Sequence, residues 1–207
     1  MKLDNIFNMI NKEELLSEAE NLIRIPSHLY TPGKEKEISK FIAGRFRNEN
    51  FNVDLQEVEH SRYNVIVKMS GNRKGKSLAL NGHLDIVPPG EDMVTPYNPT
   101  IKNGRLYGRG SADMKGAVGA MMYTLILLKK CRVILRGSVY FTGVIGEETG
   151  GTGTRFLVNS GFKPDFVIVG EPTNLNLVTS HKGVQQLSIT IKGKAAHGDI
   201  PNKGVNA

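Results

Sequence analysis

Three segments of this 207-residue chain share one layout: an apolar run, a glycine, then a side chain able to bind a metal or move a proton. They are LALNG before His83, FTGVIG before Glu147 and Glu148, and FVIVG before Glu171. A fourth segment, GRGSAD, sets Asp113 directly before a long apolar stretch. Each has an ordinary explanation by itself. A strand-end histidine is often a surface residue, paired glutamates a solvated acidic pair, Glu171 before Pro172 a turn, and Asp113 a helix N-cap. Taken together they offer one histidine and four carboxylates, nitrogen and oxygen donors without sulfur. That inventory fits Zn²⁺ or another divalent transition metal and suffices for two ions sharing a bridging carboxylate. The one cysteine, Cys131, excludes an intrachain disulfide and a cysteine-based metal site, in keeping with a reducing, cytoplasmic compartment.

The elements that must position these residues follow from the pattern of apolar positions. Residues 12–23 and 35–48 carry helical periods, the first ended by Pro26, the second with Ile38, Phe41, Ile42 and Phe46 on one face. Short β-branched or apolar runs at 51–55, 63–69 and 77–81 predict strands. The stretch 115–130 is apolar nearly all round and predicts a buried helix. The runs 139–145 and 166–169 are near-continuously apolar, as strands covered on both faces of a parallel sheet are. Helices between strands give an α/β fold with a mostly parallel central sheet and helices on both faces. In such a sheet ligands bind outside the carboxyl ends of strands, which would bring the glycine-linked side chains to one edge. Residues 87–109 are rich in proline and glycine without a clear period, the length of a functional loop. From about residue 180 the alternation of Val184, Leu187, Ile189 and Ile191 predicts a half-exposed strand opening a different sheet, and so a domain boundary. The segment GNRKGKS at 71–77 superficially matches a phosphate-binding loop. It has three residues between its glycines where four are needed and precedes a strand, so it reads as a basic β-hairpin turn.

Bulk composition narrows the classes. Hydrophobic residues at 39% and charged residues at 23% are ordinary for a globular domain. The longest apolar stretch, 117–128, is too short for the ~20 residues a bilayer requires, and Asp4, Glu13 and Glu14 interrupt any secretory signal, so no membrane partner is expected. The formal charge of +7 is spread along the chain in short clusters without interleaved aromatics, which argues against nucleic acid.

The segments GHLDIVPPG, YGRGSADMKGAVGA, GEETGGTGT, VGEPT and KGKAAHGDIPNKGVNA, in this order and spacing, resemble the acetylornithine deacetylase and succinyl-diaminopimelate desuccinylase family of zinc metallopeptidases and deacylases. The likeness runs from Ile25-Pro26-Ser27 to the last residue. It implies a zinc-peptidase-like catalytic domain over residues 1–180 and the start of a small α+β lid and dimerisation domain over 181–207. It implies two zinc ions, with cobalt or manganese as alternatives: His83, Asp113 and Glu171 on one, Asp113 bridging to a second also held by Glu148. Asp85 would accept the other ring N–H of His83 on its carboxylate, and the Asp113–Met114 peptide would be cis. Glu147 would be the general base for a metal-bridging hydroxide. His197, in the lid, would reach the active site of the other subunit of a homodimer and stabilise the oxyanion. His28, His60 and His181 receive no role. The implied activity is metal-dependent hydrolysis of the amide bond of a small N-acyl amino acid, with a di- or tripeptidase, or a non-catalytic remnant, as alternatives. The family pattern continues to a second histidine ligand for the Glu148 metal, whereas this chain stops at Asn206-Ala207, inside what should be the first lid helix. The expectation is therefore a fragment or truncated reading frame, inactive alone.

Overall fold

Helix α1 (Lys12–Ile23) begins where the Asn11 side chain accepts the amides of Glu13 and Glu14, at 2.9 and 3.3 Å, with two acidic residues in the first turn to suit the helix dipole. Helix α2 (Lys36–Asn48) buries Ile38, Ile42, Ala43 and Phe46 completely. These are the elements and faces the periodicity predicts. The computed structural model describes residues 6–183 and 187–207, which divide into two compact units, Met1–Pro172 and Thr173–Ala207. No described helix is long and apolar enough to cross a membrane.

In the first unit β1 (Val53–Glu59), β2 (Arg62–Met69), β3 (Leu78–His83), β6 (Val139–Val144) and β7 (Phe166–Val169) form one sheet in the order β1-β2-β6-β3-β7. Only β2 is reversed: it pairs antiparallel with β1 and β6, while β6, β3 and β7 are parallel. The sheet is thus mostly parallel, and the fold is the expected α/β class. Helices α2 and α3 (Gly116–Lys130) lie on one face, where Val65, Val67, Leu80 and Phe141 meet Phe46, Val118, Met122 and Leu125. Asn64, one residue before Val65 and so on the opposite face, donates to the Gly153 carbonyl (2.9 Å) of helix α4 (Thr152–Asn159). Helices therefore cover both faces. Helix α3 also packs against α1, closely because Gly119 has no side chain: a Cβ there would lie 2.8 Å from the Ala19 nitrogen.

Five expectations need correction. Strand β7 is not covered on both faces; its four apolar residues are each more than half exposed, and it is the edge of the sheet, next to β3. The segment 71–77 is not a hairpin turn, since β2 and β3 flank β6 and do not pair; it is a crossover resting on residues 135–137, with Asn72 and Arg73 donating to the carbonyls of Leu135 and Arg136. The long segment 87–109 contains a small hairpin, β4 (Thr100–Lys102) and β5 (Arg105–Tyr107), turned at Asn103-Gly104 with φ of 51° and 71°. Asn-Gly is a strong hairpin signal, but the alternation around it is too short to stand out. In the second unit Leu187, Ile189 and Ile191 are exposed and not in a strand, for want of a described partner to complete a ladder; Val184 lies outside the described residues. Among its described residues that unit holds a single bridge, Lys194 to Val205, and a 3₁₀ turn at Pro201–Lys203 in place of the expected helix.

Candidate metal centre

Parallel register brings the predicted side chains together. His83, the last residue of β3, pairs with Val144 of β6, and Asn81 pairs with Val169 of β7. Two residues beyond that pair stand His83 and Glu171, and three beyond Val144 stands Glu147. All leave the sheet at the carboxyl ends of adjacent parallel strands. Asp113 reaches the same edge from an irregular turn at Ser111–Lys115, which begins at Gly110 with φ of 79° and contains the cis Asp113–Met114 peptide. The Met114 sulfur accepts the His83 amide at 3.2 Å, tying this turn to the end of β3. Gly82 makes room for it, since a Cβ there would stand 2.8 Å from the Met114 methyl.

His83 Nε2 lies 2.9 Å from Asp113 Oδ1 and 3.7 Å from Glu171 Oε1. Ligand atoms of His83, Asp113 and Glu171 fall within 4.8 Å of one another, as do those of His83, Glu147 and Glu148. Nδ1 of His83 is 2.9 Å from the Asp85 backbone carbonyl, and donation there leaves Nε2 as the atom facing the carboxylates. This departs from the expected role of Asp85. Its carboxylate instead accepts the amides of Glu147 (3.1 Å) and Glu148 (2.9 Å), holding the segment that carries both glutamates. His197 belongs to the second unit, exposed, with Nδ1 3.3 Å from Asp199 Oδ2.

The charges at this edge strain against one another. Burial pulls the His83 pKa down, but the Asp85, Glu171 and Asp113 contacts outweigh it and the net shift is upward. Glu148 and Glu171 are both raised, first by burial and then by neighbouring carboxylates that the His83 charge only partly offsets. Buried Asp85 is raised for the same leading reason. Carboxylates gathered this closely around one imidazole, with no thiol, are a donor set a divalent cation would relieve, so the residues present fit a divalent metal ion. Lys115, which no sequence motif singles out, is fully buried behind the turn and donates from Nζ to the Ile25 carbonyl at 2.6 Å; burial pushes its pKa down to about 7. A cleft of about 160 Å³ beside Asp113 is lined by Val87, Gly108, Arg109, Ser111 and Glu148.

The same segments carry the likeness to known proteins. The model of peptidase family M20/M25/M40 matches residues 79–198. A protein of Staphylococcus epidermidis named "Probable succinyl-diaminopimelate desuccinylase" is 33% identical over 178 residues, 84% of this chain and 44% of its own length. An Aspergillus clavatus protein named "Probable carboxypeptidase" is 34% identical over 216 residues, 98% of this chain and 50% of its own. Among solved structures, a tripeptidase of Staphylococcus aureus superposes with a TM-score of 0.65 at 24% identity, over 95% of this chain and 53% of that one. The chain thus spans about half the length of the relatives it matches. With the family model covering more than half of its residues, the strand-end histidine and carboxylates included, the chain belongs to peptidase family M20/M25/M40.

Proposed function

We propose that this chain supplies the metal centre of a hydrolase acting on the amide bond of a small N-acyl amino acid. The observation that carries the reading is the convergence of His83 with two carboxylate pairs, Asp113 with Glu171 and Glu147 with Glu148, each set within 4.8 Å. His83, Asp113 and Glu171 would hold one ion, and Asp113 and Glu148 would share in a second; zinc is the proposed metal, with cobalt or manganese as substitutes. Metal ions held there supply Lewis-acid activation of water and of the scissile carbonyl. The protein's own part is proton transfer and orientation. Glu147, the more exposed of the two adjacent glutamates, takes the proton of the attacking water on its carboxylate and returns it to the leaving amine nitrogen. Asp85, through the amides of Glu147 and Glu148, fixes where both carboxylates begin.

The same reading assigns residues 1–180 to the catalytic domain and 181–207 to the start of a lid and dimerisation domain, with His197 serving the other subunit of a homodimer in the cytoplasm. It rests on the family likeness and the single cysteine. A di- or tripeptidase is the second reading, favoured by the carboxypeptidase and tripeptidase among the relatives and structural neighbours. Because the chain spans about half the length of its relatives, the deciding assay joins it to the C-terminal half of one of them and compares amine release from N-acetyl and N-succinyl amino acids with that from di- and tripeptides. Calorimetry on the chain with Zn²⁺ should give binding that His83→Ala and Asp113→Ala abolish; no Zn²⁺ binding by the chain, or no hydrolysis of any amide in the panel by the joined protein, overturns the proposal.

A further inference from the structure

Three consecutive amides in the segment bearing Glu147 and Glu148 are taken by buried carboxylates. Glu147 and Glu148 donate to Asp85; Gly146 donates to Glu35 Oε1 at 3.2 Å. Glu35 occupies the N-cap position of α2, where an acidic side chain would ordinarily serve the helix, yet it makes no cap bond there. Only 1% exposed, it instead receives Arg62 in a two-point grip, Nε to Oε2 at 2.7 Å and Nη2 to Oε1 at 2.5 Å. Arg62 is itself fixed by Glu59 at the end of β1. Gly146, with φ of 66°, lies so near this pair that a Cβ on it would stand 3.4 Å from Arg62 Nη2 and 2.5 Å from Thr152 Oγ1. A buried ion pair of this kind is a poor device for stability alone, since apolar residues of similar volume often do as well or better. Here one carboxylate oxygen faces the segment that carries two residues of the metal centre.

We infer that Glu35, oriented by Arg62, is a positioning residue for the Glu147–Glu148 segment, acting through the Gly146 amide. Among the described residues neither one hydrogen-bonds a proposed metal ligand side chain. The pair extends the support Asp85 gives to the next two amides, so that the backbone carrying Glu148 is pinned from α2, β2 and the end of β3 together. Outer partners of this sort typically change metal affinity by about 10–100-fold when removed. The inference rests on the metal-centre reading for its affinity consequence alone.

Two double variants of the full chain separate positioning from mere packing. Glu35→Leu with Arg62→Leu removes the acceptor without stranding a charge. Glu35→Gln with Arg62→Met removes the same charges and keeps an amide oxygen for Gly146. The leucine pair should speed hydrogen exchange at the Gly146 amide about tenfold or more and weaken Zn²⁺ binding about 10–100-fold. The glutamine pair should keep both close to the unsubstituted chain. Equal loss in the two variants, no loss in either, or faster exchange with unchanged Zn²⁺ affinity overturns the inference. Should the leucine pair fail to fold, the glutamine pair decides it: retained protection and affinity support it, and their loss defeats it. A chain that binds no Zn²⁺ at all defeats the metal-centre reading instead, while the exchange of Gly146 still reports on the contact with Glu35.

Discussion

Asp85 meets His83 through its main-chain carbonyl, 2.9 Å from Nδ1, while its carboxylate stands 3.7 Å from the same nitrogen. One residue therefore performs two separable tasks. The backbone orients the imidazole, and the side chain, turned to the amides of Glu147 and Glu148, orients the acidic pair.

The two tasks come apart on mutation. Asp85→Ala keeps the carbonyl, so the His83 Nδ1–H resonance should persist, whereas the Glu147 and Glu148 amides lose their acceptors and exchange faster. Zn²⁺ affinity should fall by about 10–100-fold, the range for lost outer partners. Asp85→Asn, with one acceptor oxygen for two amides, should fall between. Disappearance of the Nδ1–H signal in Asp85→Ala would assign the imidazole bond to the carboxylate after all.

Most of the centre is legible in the sequence because it depends on strand ends. The LALNG, FTGVIG and FVIVG runs place His83, Glu147 and Glu171 by local pattern, and parallel register then aligns them without further information. What supports them is not legible, because it depends on contacts distant in sequence. Glu35 and Arg62 are 27 positions apart and Lys115 and Ile25 are 90 apart; no spacing rule links either pair. The resemblance gives the Asp85 carboxylate to His83, two residues away, and only the return of the chain 62 residues later brings in the amides that carboxylate accepts. The exposure of β7 is equally hidden, because an apolar run reports that a strand can be covered, and not that a covering element is at hand.

Lys115 offers a pH signature. Its ammonium is buried with one carbonyl partner, and burial lowers its pKa from 10.5 to about 7. Between those values the folded chain binds fewer protons at this site than the unfolded chain does, so stability rises with pH across that window. Relative to Lys115→Met, the metal-free chain should gain stability from pH 7 to pH 10, by an amount on the order of a few kcal/mol. Denaturant melts of both proteins at several pH values measure the difference. Parallel curves would mean that Lys115 keeps its charge through other partners.

The edge of β7 predicts association. Val167 and its neighbours are apolar and about half exposed on a strand paired only with β3 among the described residues, an arrangement that invites edge-to-edge pairing. Sedimentation of the 207-residue chain should show concentration-dependent self-association that Val167→Lys suppresses. An exposed site should accept this change for about 0.5 kcal/mol or less. Unchanged association would place the sticky surface elsewhere.

Glu147 and Glu148 both bring a carboxylate oxygen within reach of His83, so proximity by itself does not divide their roles. Their surroundings do. Glu148 is the less exposed, its pKa raised by burial and then by Asp113, Glu147 and Asp85, which suits a side chain that a cation relieves; Glu147 is open to solvent, which suits one that trades protons with water and a substrate. Glutamine keeps the shape and the backbone bonds to Asp85 while removing the charge and the basicity. Glu148→Gln should therefore weaken Zn²⁺ binding by about tenfold or more. Glu147→Gln should leave Zn²⁺ affinity nearly unchanged and, in the chain joined to the C-terminal half of a relative, slow amide hydrolysis by about 10²–10⁴-fold, the usual contribution of a positioned base. Calorimetry and turnover measured side by side on the two variants read both quantities. If Glu147→Gln is the variant that loses zinc and Glu148→Gln the one that keeps it, the ligand and the base exchange places, and solvent exposure is the wrong guide to which of the two glutamates faces the metal.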